Sequence, residues 1–437
     1  MMPNHENLSG EHKLAPSVPL DGQPYHVQKV ASSLRNGFPY FDWHDSVSQF
    51  WHQLWRDDCR KGMYPFGEGS FDDFEPAFLE LIRLSNDDPG VFYDPDRYAQ
   101  PFLPIARDLL AAAEKAESES RVEDAKTLFL RAAAVFRIAR FPMPRTEFTR
   151  SIWEEGKKAY ARGVRYLDPA PRAVKIPFIN CSIANGDTDA PIPAELWLPD
   201  VKKPNKGWPL IILIGGIDGY RIDVMIYARP QVDRGYATLC LDCPGTGDNP
   251  AAPNDPNSPD RWISSIIAWA KKNANELGLD PSKFLIRGVS MGGYYAMRAA
   301  HTNSEDLLGV VAQGGCAHHV FDPAGIGAQN QMEFSMALRE TLAHKFGYRG
   351  SDAVERYTAE ARKFSLVESG LLGRPCCRLL IVNGAMDTLW PIEDCILVAM
   401  SSTNIDLVIN TEQHMGEPEA GDVINRWLDD RVCEKAS

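Results

Sequence analysis

The segment FLIRGVSMGGYYA, residues 284–296, carries a candidate nucleophile, Ser290. A short apolar run leads into GVSMG and a helix-like stretch follows, so the pattern G-x-S-x-G lies between a strand and a helix. A serine on such a sharp turn projects its hydroxyl above the sheet, and the flanking glycines leave room for the neighbouring strand and helix. The segment predicts a serine that attacks carbonyl carbons, with a capping serine in a glycine-rich turn as the alternative.

A candidate acid and a candidate base follow in the chain order nucleophile, acid, histidine that a triad built on this motif uses. Asp387 comes just after the apolar run and turn of LLIVNGAMDTLWP (379–391), and His414 lies in the loop TEQHMG after one more apolar run. A carboxylate at 387 can accept the imidazole N–H, fix its tautomer and support the imidazolium. The rival acids Glu393 and Asp394 fall in the first turn of the next predicted helix, where negative charge is favoured anyway.

Backbone N–H groups are the candidates for holding an oxyanion. The N–H of Met291 lies at the start of the helix that follows the nucleophile. Upstream, the apolar run of PLIILIGGIDGY (209–220) ends in two glycines, and the N–H of Gly216 or Ile217 would supply the second donor. A glycine turn that merely ends a strand is the alternative for that loop.

Four further residues are candidates for contact with a substrate. His318 and His319 follow a predicted strand end on the same side of the sheet as the nucleophile, so one of them could line a pocket; buried loop histidines are the alternative. Tyr294 could line an apolar pocket together with aromatic residues of the N-terminal half, with a core role as the alternative. Asp218 completes this set, directly after the glycine loop.

These residues require a sheet whose strands end at one edge. From about residue 173, short apolar runs alternate with helical stretches, and several runs are apolar throughout, as in a mostly parallel sheet covered by helices. The predicted strands are Val174–Ile179, Ala194–Leu198, Pro209–Ile214, Ala237–Leu241, Phe284–Arg287, Leu308–Ala312, Arg378–Val382 and Leu407–Ile409. The pattern predicts an α/β fold with a mostly parallel sheet of about eight strands.

The first half of the chain is helical instead. Apolar residues recur at helical spacing over 106–116 and 122–138, which predicts an antiparallel hairpin, and 147–164 reads as one more helix. We expect a flexible leader at 1–22, a helical lid or cap region at 23–172 and a catalytic domain at 173–437. The segment 320–372 is too long for a plain connection and is expected to supply extra helices over one end of the sheet.

Composition narrows the range of partners. The chain has 437 residues, 46 Lys and Arg and 59 Asp and Glu, so its net charge of −13 disfavours nucleic acid or an anionic membrane as the main partner. No apolar run approaches the roughly 20 residues that span a bilayer, and the N-terminus lacks the features of a signal peptide. Nine scattered cysteines fit a reducing compartment and complete no zinc site, so we expect a cytoplasmic protein without a metal or cofactor.

Several stretches resemble one family of α/β-hydrolases. They are LIGGIDGYRIDVMIYARPQVDRGYATLCLDCPGTGD, GVSMGGYYAMRAA, VNGAMDTLWP and HMGEP, preceded by EEGKKAYARGVRYLDPAPRAVKIPF. They are similar to the fungal polyketide-shortening (yellowish-green pigment type) hydrolases of melanin-type pathways and to bacterial 2,6-dihydroxypseudooxynicotine hydrolase. The resemblance covers most of residues 147–427 and implies an α/β-hydrolase fold with a helical N-terminal region. It also implies hydrolysis of carbon–carbon bonds next to ketones, a retro-Claisen cleavage.

The resemblance carries the triad and the oxyanion loop onto the residues already named. The family also has a polar substrate-orienting residue after the strand that ends near residue 314. Here that region reads CAHHVF, with no carboxylate until Asp322, so the resemblance leaves His318 or His319 to take that role.

The leading hypothesis is a serine hydrolase that cleaves a carbon–carbon bond in a small polyketide or aromatic β-diketone-like molecule. Related sequences include esterases and transferases, so a carboxylesterase, a lactonase and an acyltransferase stay open as alternatives. A non-catalytic binding protein is a further alternative, against which the complete triad argues. Helical N-terminal regions often mediate dimers, so a homodimer is also considered.

Overall fold

The computed structural model describes residues 19–20, 23–24 and 34–433. The leader expected at 1–22 therefore lies outside the described residues, apart from Pro19–Leu20. Two short ribbons pair Pro19–Leu20 with Gln23–Pro24 and Leu34–Arg35 with Phe38–Pro39.

An eight-stranded sheet forms the centre of the second half of the chain. Its strands are β1 (Arg172–Ile176), β2 (Ile192–Trp197), β3 (Trp208–Ile214), β4 (Ala237–Leu241), β5 (Leu279–Val289), β6 (Gly309–Gln313), β7 (Leu379–Gly384) and β8 (Ile405–Asn410). They lie in the order β8-β7-β6-β5-β3-β4-β2-β1, and only β2 runs antiparallel to its neighbours in this sheet. The sheet confirms the predicted α/β fold and its eight mostly parallel strands.

Helices cover both faces of this sheet and also form most of the first half. The longer ones are α1 (Phe71–Ser85), α2 (Phe102–Ser118), α3 (Val122–Ala139), α4 (Glu147–Val164), α5 (Met225–Asp233), α6 (Ser258–Leu277), α7 (Met291–Thr302), α8 (Leu338–Lys345), α9 (Ala353–Glu360), α10 (Ile392–Ala399) and α11 (Ala420–Cys433). Shorter helical segments are Val47–Gln49, Phe50–Trp55, Arg56–Lys61, Pro95–Ala99 and Pro323–Ala328. None of the helices within the described residues is both long and apolar enough to cross a membrane.

Strand β3 shows why the central strands are apolar throughout. Side chains alternate between the two faces of a strand. Leu210 and Ile212 pack into the core that α6 and α7 complete, whereas Ile211 and Leu213 pack into the core that α5 and α11 complete. Because both faces are covered, no position along the middle of this strand faces water, which is the physical basis of the unbroken apolar run.

The helical first half has its own core and attaches to the sheet through a buried ion pair and a hydrogen bond. Its core is rich in aromatic side chains from α1, α2, α3 and the segment 47–66. At the end of α3, Arg140 pairs with Asp223, which lies in the loop between β3 and α5. The Trp153 Nε1–H of α4 donates to Asp248 Oδ1 at 2.9 Å. These contacts hold the helical region over the edge of the sheet where the parallel strands end.

Candidate active site

Ser290 occupies a strained turn between β5 and α7. Its backbone has φ 55° and ψ −121°, a conformation that an L-residue adopts only under constraint. A Cβ on Gly288 would overlap the carbonyl oxygen of Gly292, and one on Gly292 would overlap that of Ile214. The two glycines of G-x-S-x-G are therefore sterically required, and the tight turn raises the Ser290 hydroxyl above the sheet.

The structure brings Ser290, His414 and Asp387 together. The His414 Nε2 lies 2.9 Å from Ser290 Oγ, and His414 Nδ1 lies 2.8 Å from Asp387 Oδ2. The strands β5, β7 and β8 are parallel, so the residues that follow them meet at one edge of the sheet although they are far apart in the chain. The hydroxyl, the imidazole and the carboxylate thus form one continuous hydrogen-bonded series.

The Asp387 carboxylate is fully buried and held by donors on both oxygens. Oδ1 accepts hydrogen bonds from the backbone N–H groups of Leu389, at 2.7 Å, and Trp390, at 3.0 Å. Oδ2 accepts one from the Asn383 side chain at 2.8 Å in addition to its contact with His414. These bonds fix the carboxylate orientation and thereby the direction of the imidazole ring.

Electrostatics favour a His414 ring that takes up a proton. Burial disfavours the charged ring, but the carboxyl groups of Asp387, Glu333 and Asp218 outweigh that cost, so the pKa of His414 is raised above its usual value. A raised pKa makes the ring a stronger base toward the Ser290 hydroxyl. It also stabilises the imidazolium that forms when the hydroxyl proton is transferred.

The residues expected to hold an oxyanion flank Ser290. Met291 opens α7, and Gly216 lies in the loop after β3, where a Cβ on it would be 3.4 Å from the Ser290 Cβ. Gly216 lines the cavity above Ser290, and Ile217 follows it with a fully buried side chain. Both stretches thus supply backbone N–H groups next to the nucleophile, which is the arrangement that can stabilise a tetrahedral oxyanion.

A cavity of about 200 Å³ opens above Ser290 and His414. Its wall is mainly apolar and comes from three parts of the chain. The helical region contributes Leu54, Trp55, Tyr64, Pro65 and Phe141; the strand-end loops and α5 contribute Gly216, Asp218, Gly219, Val224, Tyr227, Val289, Leu389 and Met415; the segment 320–372 contributes Glu333, Phe334 and Ser335. A cavity lined mainly by apolar and aromatic side chains in this way fits a small organic substrate.

His318, His319 and Tyr294, which the sequence suggested as pocket residues, lie outside the lining of this cavity. The Nδ1 of His319 lies 2.7 Å from Asp394 Oδ1, and the Nδ1 of His318 lies 2.6 Å from Ser365 Oγ. The Tyr294 hydroxyl donates to the carbonyl of Phe364 at 2.8 Å. All three side chains are buried, and their polar atoms are engaged by these partners.

The rival acid Asp394 anchors the loop that carries the two histidines. It accepts hydrogen bonds from the backbone N–H groups of Ala317, His318 and His319, at 2.8 to 2.9 Å. Burial opposes its charge, but the His319 ring and these N–H groups prevail and lower the pKa of Asp394 to about 2. Its contacts are thus those of a structural carboxylate.

Glu333 is the principal site residue that the sequence did not reveal. Its carboxylate lines the cavity and accepts hydrogen bonds from the backbone N–H of His414 and from that of Thr388, each at 2.9 Å. Burial, together with repulsion from Asp387, raises the pKa of Glu333 to about 7. No motif surrounds Glu333, and its place at the site depends on how a long irregular segment folds back over the sheet.

Asp218, by contrast, was a candidate in the sequence and does line the cavity beside Ser290. Burial raises its pKa to about 6, despite opposing effects of its own backbone N–H, Arg140, His414 and the Tyr64 hydroxyl. The Asp218 carbonyl accepts a hydrogen bond from Arg140 Nη1 at 3.2 Å, so the helical region holds this loop directly.

Comparison with known proteins places this chain in a family. Residues 105–433 match the model of a family described as Esterase FrsA-like. The chain is 29% identical over 220 residues to Hydrolase phmG of Phaeosphaeria nodorum, which is 47% of this chain and 49% of that protein. It is 26% identical over 325 residues to Esterase FrsA of Pectobacterium atrosepticum, 71% of this chain and 72% of that protein. The chain thus spans about half the length of the fungal relative and more of the bacterial one.

A solved structure agrees with the fold. The crystal structure of the 2,6-dihydroxy-pseudo-oxynicotine hydrolase matches with a TM-score of 0.61 and 17% identity, covering 77% of this chain and 89% of that one. At this identity the likeness bears on the fold alone. The match confirms an α/β-hydrolase fold that continues into the helical N-terminal region.

Proposed function

This chain belongs to the FrsA-like esterase family of α/β-hydrolases, and from that premise we propose that Ser290, His414 and Asp387 hydrolyse a carbon–carbon bond beside a ketone. The substrate we propose is a small polyketide or an aromatic β-diketone. The observation that carries the proposal is the unbroken hydrogen-bonded series from Ser290 Oγ through His414 to Asp387, at the floor of an aromatic cavity.

The chemistry proceeds from the geometry of these three side chains. His414 Nε2 takes the proton of Ser290 Oγ, and the oxygen attacks the substrate carbonyl carbon. The N–H groups of Met291 and of Gly216 or Ile217 hold the oxyanion, where one such donor typically contributes about 3 kcal/mol to the barrier reduction. Collapse of the tetrahedral intermediate expels the enolate carbon, which the His414 imidazolium protonates. Water activated by His414 then releases the acyl group from Ser290.

The cavity wall supports the proposed substrate class. Aromatic side chains from both the helical region and the segment 320–372 face Ser290, among them Trp55, Phe141 and Phe334. The lining described above contains no lysine or arginine that would pair with a substrate carboxylate. An uncharged aromatic or polyketide molecule suits such a wall better than an anionic one.

The helical region is proposed to act as the lid of the site. Residues between 23 and 172 would form this lid and residues 173–437 the catalytic domain. The support is that Trp55, Tyr64 and Phe141 reach the cavity from the helical side, while Ser290 and His414 belong to the sheet side. Substrate selection would then depend on the helical region. The choice of the bond that is cleaved would depend on the loops at the ends of the strands.

Hydrolysis of a carboxylic ester is the second candidate function. The family description as esterase-like favours it, and the same nucleophile, base and oxyanion donors would serve both reactions. The two differ in the leaving group, which is an alkoxide for an ester and an enolate carbon for a β-diketone. An acyltransferase would differ only in the second step, where an alcohol or amine replaces water.

Parallel assays separate these candidates. The purified protein is offered 1-phenylbutane-1,3-dione and a series of p-nitrophenyl esters, with products identified in the presence and absence of an added alcohol. We expect cleavage of the diketone to benzoate or acetate and the matching ketone, and complete loss of turnover in Ser290→Ala. Turnover of esters alone would replace the carbon–carbon proposal with the esterase, and transfer to the alcohol would indicate an acyltransferase.

A further inference from the structure

Asp218 and Ser290 flank the same glycine. A Cβ on Gly216 would lie 3.4 Å from Asp218 Oδ1 and 3.4 Å from the Ser290 Cβ. Asp218 also lines the cavity that Ser290 and His414 share. The carboxyl group therefore borders the space in which the substrate carbonyl must sit, on the side of the loop after β3.

An ionised carboxylate at this place would oppose catalysis. It would repel the substrate oxyanion that the N–H of Gly216, two residues before Asp218, is expected to hold. Two negative charges in a poorly solvated cavity repel each other strongly. A protonated carboxyl group has the opposite effect, because its O–H can donate a hydrogen bond to a negatively charged oxygen.

Burial favours the acid form of Asp218, whereas Arg140, His414 and the Tyr64 hydroxyl, which face it from the surrounding elements, favour the ionised form. Arg140 at the end of α3 is engaged by Asp223, Tyr64 and Tyr227 contribute hydroxyl groups from the lid side and from α5, and His414 faces it from the loop after β8. Burial raises the pKa of Asp218 to about 6, and the charge on His414 is one of the effects that lower it. When His414 is neutral, as the base must be, that lowering disappears and the acid form of Asp218 gains.

A β-dicarbonyl substrate presents a second oxygen at the matching position. When its two carbonyl groups point to the same side and the first oxygen sits at the N–H groups of Gly216 or Ile217 and Met291, the second lies beside that loop. We propose that the Asp218 carboxylic acid donates a hydrogen bond to this second oxygen and so stabilises the enolate that departs from Ser290. This inference rests on the proposed carbon–carbon hydrolysis.

The proposed step needs no additional reactant. The bond between the attacked carbonyl carbon and the α-carbon breaks, and its electron pair becomes the enolate, with charge on the second oxygen. The proton that His414 removed from Ser290 moves to the α-carbon, so the product is a neutral ketone and His414 returns to the neutral form. Asp218 keeps its own proton and only lends a hydrogen bond, which strengthens as the charge develops.

The leaving group decides how Asp218 variants should behave. We expect Asp218→Ala to lower kcat/KM for 1-phenylbutane-1,3-dione by roughly 10²–10³-fold, the effect of removing one oxyanion donor. The same variant should show no comparable loss of kcat/KM for p-nitrophenyl butyrate, since p-nitrophenolate has no second carbonyl and the ionised fraction of Asp218 no longer repels the oxyanion. Asp218→Asn keeps a hydrogen-bond donor that cannot ionise, so it should retain much of the diketone activity. In the wild type, deprotonation of Asp218 should make kcat/KM for the diketone decline as the pH rises, and this decline should be absent in Asp218→Asn.

Two controls make the outcomes distinct. Asp422→Asn removes an exposed carboxylate in α11 and should match the wild type on both substrates. Labelling of Ser290 by a fluorophosphonate requires no enolate, so it should still go to completion in Asp218→Ala and also verify that the site is folded.

Each result supports or overturns a particular claim. Equal losses on diketone and ester in Asp218→Ala, or no loss on either, would overturn the enolate role while leaving the carbon–carbon hydrolysis intact. A wild-type protein that cleaves the ester but not the diketone would overturn the proposed function and this inference together. Selective loss of diketone cleavage with complete labelling is the expected result.

Discussion

Glu333 accepts a hydrogen bond from the backbone N–H of His414 at 2.9 Å, and its second carboxylate oxygen accepts one from the N–H of Thr388 at the same distance. Thr388 directly follows Asp387 in the chain. One carboxylate from the segment 320–372 therefore joins the loop of the candidate base to the loop of the candidate acid. This segment positions the site as well as covering it.

Replacing Glu333 with glutamine should change the pH dependence of turnover. An amide carries no charge, so the pKa of His414 should fall, because the Glu333 carboxylate is among the groups that raise it. The base form of His414 would then be present at lower pH, and the acidic limb of kcat/KM should move toward acid. The amide nitrogen cannot accept a hydrogen bond, so one of the two backbone N–H groups loses its partner, and the resulting displacement of the loop that carries it should lower kcat by about tenfold.

The measurement is a pH–rate profile of Glu333→Gln beside the wild type. Glu355→Gln, an exposed change in α9 of the same segment, is the matched control and should leave the profile unchanged. An acidic limb that stays in place or moves toward alkaline pH would contradict the electrostatic role of Glu333.

Asp387→Asn should remove nearly all activity without unfolding the protein. The asparagine amide can donate toward His414 Nδ1, which stabilises the tautomer whose Nε2 carries a proton and cannot accept one from Ser290. A loss of about 10⁴-fold in kcat is expected by analogy with other serine triads. Steady-state kinetics with p-nitrophenyl butyrate measure the loss, and a circular dichroism melt tests the fold. Activity within tenfold of the wild type would remove Asp387 from the triad in favour of another acid.

Arg140→Ala should lower the free energy of unfolding strongly. The side chains of Arg140 and Asp223 pair with only 1% and 4% of their surfaces exposed, so the alanine variant would leave the buried carboxylate with only the more distant Arg137 as its cation, at 3.8 Å. Removing one partner of a buried pair typically costs about 3–5 kcal/mol. Urea unfolding followed by tryptophan fluorescence measures the change.

A matched control for the Arg140 variant is Arg83→Ala, which breaks an exposed pair with Glu80 on α1. Such surface pairs contribute little, so this variant should unfold at the wild-type urea midpoint. The double variant Arg140→Met with Asp223→Leu should recover part of the stability, since no unpaired charge remains. Equal stability of Arg140→Ala and the wild type would show that the pair does not anchor the helical region.

The sheet and the series Ser290, His414 and Asp387 could be predicted because their determinants are local. Each buried strand is an unbroken apolar run, and the turn at Ser290 carries the glycines that its geometry requires. Parallel strands end at one edge, so residues placed just after β5, β7 and β8 must meet there. These inferences do not require knowledge of how distant parts of the chain pack against each other.

The remaining site residues depend on packing that has no local pattern. Glu333 lies between short helices in a segment without periodicity, and Tyr64 reaches the cavity from a loop of the helical region. His318 and His319 follow a strand end as the sequence suggested, yet Ser365 and Asp394 compete for their rings. Position after a strand brings a residue to the correct edge, but nearby partners decide which way its side chain turns.

Phe334→Ala should weaken binding of aromatic substrates and leave the chemical step largely intact. Phe334 of the segment 320–372 stacks on Phe141 of the helical region, with ring centroids 6.1 Å apart and an angle of 17° between the rings, and both line the cavity. Removing one ring of this pair should cost about 1–1.5 kcal/mol of contact with an aromatic ligand, or about tenfold in KM. Because Phe334 has no part in the hydrogen-bonded series at Ser290, kcat should change less than about threefold.

The measurement compares 1-phenylbutane-1,3-dione with pentane-2,4-dione, which lacks the phenyl ring, and uses Leu79→Ala at an exposed position of α1 as the control. A parallel rise of KM for both diketones would mean that the variant distorts the cavity as a whole, because only the aromatic substrate has a ring to lose contact with Phe334.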